Sequence, residues 1–297
     1  MPLISTVTGS FTAGRRASAF GSTPWSPADI TTAFWIDASD TSSYTVSGSN
    51  VTAVTDKAGN ATISVGGTPN INTSLNGKNT FTFQQNNNED LTTNEFLQAS
   101  SGNHWAVGVF QWNSVDDTKD SFWSTENNTV NAVTNKRDYA VSAGNSSQFN
   151  GELDLDSLGG NRISSTIGDK EAFTNVFGSS ATWQILSVFF NKAGNQIGAR
   201  ISGEDAFTPV NDYDNSLTPN LDIRLFRNRT NVRMSGKMAE FLTVADVPGT
   251  GGTDLSTLEK AEGYLSHKWN VTLDANHPYY STAPVSYTHL TLPTTSF

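Results

Sequence analysis

The stretch Gly151-Glu152-Leu153-Asp154-Leu155-Asp156 carries an acidic side chain at every second position. Successive side chains of an extended strand point to opposite faces, so Glu152, Asp154 and Asp156 share one face while Leu153 and Leu155 take the other. Carboxylates grouped in this way suit nucleophilic attack coupled to proton transfer, or coordination of a hard cation. The spacing strains the first option. Residues four apart on a flat strand have Cα atoms about 13 Å apart, whereas a carboxylate nucleophile and its acid/base partner need carboxyl groups about 5–5.5 Å apart. Asp156 is also one methylene shorter than a glutamate, and Ser157-Leu158-Gly159-Gly160 follows instead of aromatic residues. A solvated acidic face accounts for the alternation equally well.

Other residues could bind without reacting. The loop Asn211-Asp212-Tyr213-Asp214-Asn215 is rich in oxygen ligands, and Asp212 and Asp214 are its candidates for calcium, the one cofactor the pattern admits. The acidic strand fails the EF-hand pattern because Leu158 falls at the third ligand position. Aromatic side chains beside amides and charges suit sugars, which stack on rings and hydrogen-bond at their edges. Trp112, Trp123, Asn127, Arg137 and Asp138 are the candidates of that kind, with burial in a core as the alternative for each aromatic. Three histidines, His104, His267 and His277, precede the final segment, and no nucleophile-elbow motif accompanies them. A structural, hydrogen-bonded role suits His267, and His277-Pro278 is placed to fix the chain's exit from the domain. There is no cysteine, which removes disulfides, thiolate metal sites and thiol nucleophiles. Gly249–Gly252 lacks the Lys-Ser/Thr that a phosphate loop requires.

The elements that must position these residues are strands. Only 36% of the 297 residues are hydrophobic and 15% charged, so Ser, Thr, Asn and Gly cover the surface. Such a composition suits short strands and turns, not exposed helices. Strand signals occur at Thr32–Asp37, Val51–Asp56, Thr80–Phe83, Trp105–Trp112, Tyr139–Ala143, Phe149–Leu155, Trp183–Phe190, Ile197–Ile201, Leu221–Phe226 and Lys237–Val244, nearly all separated by turn residues. This spacing predicts an all-β sandwich or barrel. One helix is predicted over Leu255–Lys268, capped by Asp254, with Leu255, Leu258, Ala261 and Leu265 at helical intervals. A net charge of −10 disfavours nucleic-acid binding, although Arg224, Arg227, Arg229 and Arg233 form a local basic group. No apolar run is long enough for membrane insertion, and the N-terminus lacks a secretory pattern.

The ends read differently from the middle. Residues 1–25 are polar and small, as a flexible arm would be. The final segment, from Val285-Ser286-Tyr287-Thr288-His289-Leu290 to Phe297, resembles a translated library adapter of the kind used in sequencing environmental DNA. That places 283–297 outside the natural domain of 26–282.

Two blocks carry a further resemblance. The first is Phe34-Trp35-Ile36-Asp37-Ala38-Ser39-Asp40 with Asp56-Lys57-Ala58-Gly59-Asn60; the second is Gly236–Phe241 with Glu259–Trp269 and His277-Pro278-Tyr279. They resemble the concanavalin A-like lectin/glucanase superfamily, in particular the laminin-G-like domains of bacteriophage and bacterial surface proteins. The resemblance implies a jelly-roll sandwich of two antiparallel sheets with one short C-terminal helix. Trp35, Tyr264 and Trp269, each with a large apolar body and one polar handle, are expected to pack that helix against the sandwich. The acidic strand is similar to that of laminarinase-type retaining glycosidases, which would make Glu152 the nucleophile and Asp156 the acid/base, with Asp154 between them.

The expected function is a non-enzymatic bacteriophage virion protein, on the capsid or tail, with a lectin-like domain. Its partners would be other virion proteins and a host-surface glycan, with no nucleic acid. It would assemble in the host cytoplasm and leave on lysis. A bacterial surface adhesion module and a glycosidase using Glu152 are the alternatives.

Overall fold

The computed structural model describes residues 23–94, 96–98, 103–114, 121–125, 139–142, 154–157, 182–205, 220–227 and 233–286. Two antiparallel sheets face each other. The large one has ten strands, ordered Glu204–Asp205, Gln196–Ile201, Gln184–Asn191, His104–Ser114, Ser235–Val244, Lys78–Phe83, Asn70–Leu75, Asn50–Val54 and Tyr44–Ser47, with Phe34–Asp37 also pairing along Ser235–Val244. The small one has six: Asp154–Ser157, Tyr139–Ser142, Ser121–Ser124, Arg224–Leu225, Asp90–Thr93 and Ile63–Gly66. Among the described residues there is one α-helix, Ser256–Trp269. The predicted antiparallel sandwich with a C-terminal helix is therefore the observed fold.

Strand alternation builds two cores on one sheet. From His104–Ser114, Ala106 and Phe110 enter the core between the sheets, while Trp105, Val107 and Val109 enter a second core under the helix. A strand buried on both faces reads as a continuous apolar run, which is what Trp105–Phe110 is. The first core is aromatic, with Phe110 stacked on Trp123 at 5.5 Å between ring centres and Phe83 on Phe226 at 4.2 Å. The second joins Leu258, Ala261, Leu265 and Trp269 of the helix to Leu242 and Val244 of the sheet.

Ser235–Val244 is irregular where it matters. Val109 pairs with Glu240 but Phe110 pairs with Met238, so Ala239 is an extra residue. The bulge resets the alternation: Met238 and Phe241, three apart, both face the small sheet, while Glu240, Leu242 and Val244 face the helix.

Four expectations need correction. Leu221–Phe226 is two short strands with different partners, Asn220–Leu221 beside Phe96–Leu97 and Arg224–Leu225 between Ser121–Ser124 and Asp90–Thr93, and Phe226, with a left-handed φ of 58°, ends the second. Its stacking on Phe83 and an N–H bond to Phe122 O at 2.9 Å hold this otherwise costly conformation. The helix is capped at Leu255, and Asp254 instead ties the preceding turn, accepting from the Thr250 and Ser256 N–H groups at 2.7 and 3.0 Å. Trp25, read as part of a flexible arm, is buried in the helix-side core. Thr23–Pro24 pairs with Val285–Ser286, so both ends reach further into the fold than residues 26–282. The predicted strand Phe149–Leu155 falls largely outside the described residues; its described part belongs to Asp154–Ser157.

Candidate functional site

The face of the small sheet away from the inter-sheet core is polar. Val65, Leu91, Leu225 and Trp123 pair across the sheet and contact the core, so the neighbouring row Ser64, Thr92, Arg224 and Ser124 points the other way, with Ser64 and Thr92 accessible and Arg224 and Ser124 buried. Arg224 Nε donates to Asp222 at 3.0 Å, and Arg233 Nε donates to Asp90 at 2.6 Å. Arg227 stands 3.7 Å from the same aspartate. Burial, opposed by Asp90 and reinforced by the charges of Arg224 and Arg233, lowers the pKa of Arg227. Arg224, Arg227 and Arg233 of the basic group noted in the sequence thus form a mixed cluster of guanidinium donors and carboxylate acceptors, the chemistry that orients hydroxyl-rich or anionic ligands, while Arg229 lies outside the described residues.

The sequence-predicted residues fall unevenly around it. Asp154–Ser157 is the strand at one edge of this sheet, with Asp154 opposite Ser142 and Asp156 opposite Ala140. Glu152, Asn127, Arg137, Asp138, Asp212 and Asp214 lie outside the described residues. Trp123 is fully buried, stacked on Phe110 and tilted against Phe241, so its ring is not open to a ligand; this corrects its assignment to a sugar platform. Trp112 is half-buried at the end of its strand, against the inter-sheet core. A cleft of about 720 Å³ opens elsewhere, walled by Ile30, Ala33, Phe96, Leu97 and Val244. Among the described residues no group of three or more His, Asp or Glu is placed to hold a metal ion. No helix of the described residues is long and apolar enough to cross a membrane.

The residues of the two sequence blocks meet under the helix. Glu240 has no exposed surface and accepts four hydrogen bonds: Trp35 Nε1 at 2.8 Å and Tyr264 OH at 3.1 Å on Oε1, then Lys268 Nζ at 2.6 Å and Trp269 Nε1 at 2.8 Å on Oε2. All three polar handles expected to pack the helix end on this one carboxylate. Glu240 pairs across the strands with Asp37, a like-charge juxtaposition that would be destabilising alone. Lys268 resolves it by bridging to Asp37 Oδ2 at 2.8 Å, and Lys57 reaches the same oxygen at 3.1 Å. Burial raises the pKa of Glu240 more than Lys268 lowers it. For Asp37, burial is outweighed by Lys268, Ser39 and Lys57, and the carboxyl is held low.

A second knot repeats the design further along the helix. Ser187 and Arg200 are cross-strand partners, and both donate to the buried Glu262, at 2.5 and 3.1 Å. His277, on the exit segment, contacts the other Glu262 oxygen at 3.0 Å. His267 is exposed and meets the Tyr279 carbonyl at 3.0 Å. Glu240 and Glu262 were not singled out as sites in the sequence. Their signal was there, since each is an acid inside an otherwise apolar face: Met238-Ala239-Glu240-Phe241-Leu242 and Leu258, Ala261, Glu262, Leu265.

No family model matches the chain. No curated protein matches it either. Solved structures do. Botulinum neurotoxin type C, whose entering of cells depends on interaction with two ganglioside molecules, aligns with TM-score 0.50 at 12% identity over 84% of this chain and 57% of that one. The chain has an antiparallel β-sandwich fold in common with it. The binding domain of botulinum neurotoxin serotype G aligns with TM-score 0.48 at 13% identity, over 73% of this chain and 51% of that one. Domain 4 of an extracellular arabinanase from Geobacillus stearothermophilus, in complex with arabinotriose, aligns with TM-score 0.46 at 12% identity, over 68% and 89% respectively. The chain thus spans about half the length of the two toxin chains it matches.

Proposed function

We propose that the chain is a glycan-binding sandwich of the concanavalin A-like, laminin-G-like type, carried on a bacteriophage virion and contacting a host-surface glycan and other virion proteins. The observation that carries the binding reading is the pair of partly exposed guanidinium groups of Arg227 and Arg233, held by the buried Asp90 on the polar face of the small sheet. Side chains locked by such pairs are preorganised, which limits the entropy lost on binding. The sequence between Ser121–Ser124 and Tyr139–Ser142, neighbours in that sheet, supplies Asn127, Arg137 and Asp138. The fold in common with a ganglioside-dependent toxin supports the same reading. The virion assignment rests on the sequence resemblance.

A glycan array probed with the full chain tests the binding. Signal above background is expected, weakened about tenfold, or roughly 1.4 kcal/mol, by Arg233→Ala. A folded chain that binds no glycan overturns it. Tail or capsid genes beside the coding sequence would support the virion; secretion genes would argue for a bacterial adhesin.

The glycosidase reading draws on Asp154 and Asp156 standing in the edge strand of the same sheet. Turnover of β-glucans abolished by Glu152→Gln would establish it, and no turnover removes it.

A further inference from the structure

The knot around Lys268 holds the three groups that an intramolecular amide bond needs. Lys268 Nζ lies 2.8 Å from Asp37 Oδ2 and 2.6 Å from Glu240 Oε2. The side chains of Asp37, Glu240 and Lys268 are 5%, 0% and 15% exposed, and the indoles of Trp35 and Trp269 and the ring of Tyr264 close around them. Water competes poorly in such a site, and three secondary elements hold the reacting atoms at contact distance, the situation in which effective molarity is greatest. Lys268 and Asp37 are an amine and a carboxyl group, whose condensation product is an amide.

We propose that Lys268 and Asp37 condense into an isopeptide bond, with Glu240 as the proton-transfer residue. Lys268 passes one proton across its contact to Asp37 Oδ2, so that a neutral amine faces a neutral carboxylic acid, and Glu240 Oε2 takes a second from the nitrogen as its electron pair attacks Asp37 Cγ. The N–Cγ bond forms, and the Cγ–Oδ2 bond breaks. Oδ2 leaves as water with the two protons that Lys268 loses, one passed directly and one returned through Glu240. Lys57, 3.1 Å from Oδ2, donates a hydrogen bond to the departing oxygen. One ammonium and one carboxylate become one amide and one water, so no oxidant, reductant or co-substrate is required. Burial, which raises the pKa of Glu240, suits it to hold a proton in transit.

The bond would join the strand Phe34–Asp37 to the end of the helix Ser256–Trp269, a tie that survives denaturation. On the virion reading proposed above, such a staple would serve a particle protein that has no cysteine to make a disulfide.

Mass spectrometry of the purified full chain tests this directly. After denaturation and trypsin digestion, a branched peptide carrying both Asp37 and Lys268 is expected, lighter than its two parts by one water and uncut after Lys268. Glu240→Gln, which keeps the shape of the side chain, is expected to abolish that peptide while leaving the far-UV circular dichroism of a folded sandwich. Two linear peptides of full mass from the wild-type chain overturn the proposal. So does a water loss confined to one linear peptide, which marks a succinimide. A branched peptide undiminished in Glu240→Gln removes Glu240 from the mechanism.

Discussion

A buried carboxylate is worth having only when its partners compensate for lost hydration, and both buried glutamates here meet that condition with three or four contacts. Replacing Glu262 with Ala would leave His277 and Ser187 without this acceptor and Arg200 with hydrogen bonds only to Asp205 and the Gly203 carbonyl, and urea denaturation should show a loss of about 3 kcal/mol. The pH response has a definite sign. Burial, which opposes the charged form of Glu262, is outweighed by His277, Arg200 and Ser187, so its folded pKa lies below the 4.5 of an unfolded chain. Its contribution is complete above that value and is lost as pH falls through the folded pKa, so the acid-induced drop in urea midpoint should be shallower in Glu262→Gln. His104 acts higher on the scale. Burial, resisted by the bond to Gln98 O, depresses it to about 4, so it stays neutral in the folded chain. The unfolded chain takes up that proton from about pH 6.5 downward, and stability should fall between there and pH 4 by on the order of 3 kcal/mol. Proton NMR should show the His104 ring unprotonated at pH 5.5; a midpoint near 6.5 would contradict its burial. At this scale the sequence revealed residue types with polar handles, but it could not say that Trp35, Tyr264 and Trp269 end on one acceptor.

Elements in this protein are legible where both faces obey a simple rule. Trp105–Trp112 reads as a strand and is one, extended to His104–Ser114, because an apolar run of that length between turns suits a strand covered on both sides. The helix follows from Leu258, Ala261 and Leu265, all fully buried. Leu265→Ala should cost about 2–5 kcal/mol by thermal or urea unfolding, since it opens a void between helix and sheet. Gly108 sits where a methyl group would meet the Phe110 and Phe241 rings and the Glu240 carbonyl within 2.9 Å. Gly108→Ala should therefore destabilise by roughly 1–3 kcal/mol despite its better strand propensity. The bulge at Ala239 was not legible. Whether a strand carries an extra residue depends on what its partner offers opposite it, and Val109 and Phe110 are some 130 positions away in sequence.

The molecule as a whole is three layers, small sheet, large sheet and helix, in which the middle layer belongs to both cores. Neither core can be opened without exposing a face of His104–Ser114 and Ser235–Val244. Unfolding should accordingly be a single transition, with tryptophan fluorescence and far-UV circular dichroism giving coincident melting curves. Separate transitions would show that the helix layer unfolds apart from the sandwich.

The sequence by itself determined the class of fold, because strand periodicity, turn residues and a polar, sparsely charged surface are local properties. It also determined which residues carry polar handles into the helix interface. Only the tertiary structure decided what those handles meet. Asp37, Glu240 and Lys268 come together through strand register, a bulge and the seating of one helix, none of which is written in the neighbourhood of any of the three. It likewise moved Trp123 from the surface to the core, since an aromatic residue beside amides looks the same in sequence on either face of a strand. The face is chosen by pairing with distant residues, and pairing is a property of the folded chain.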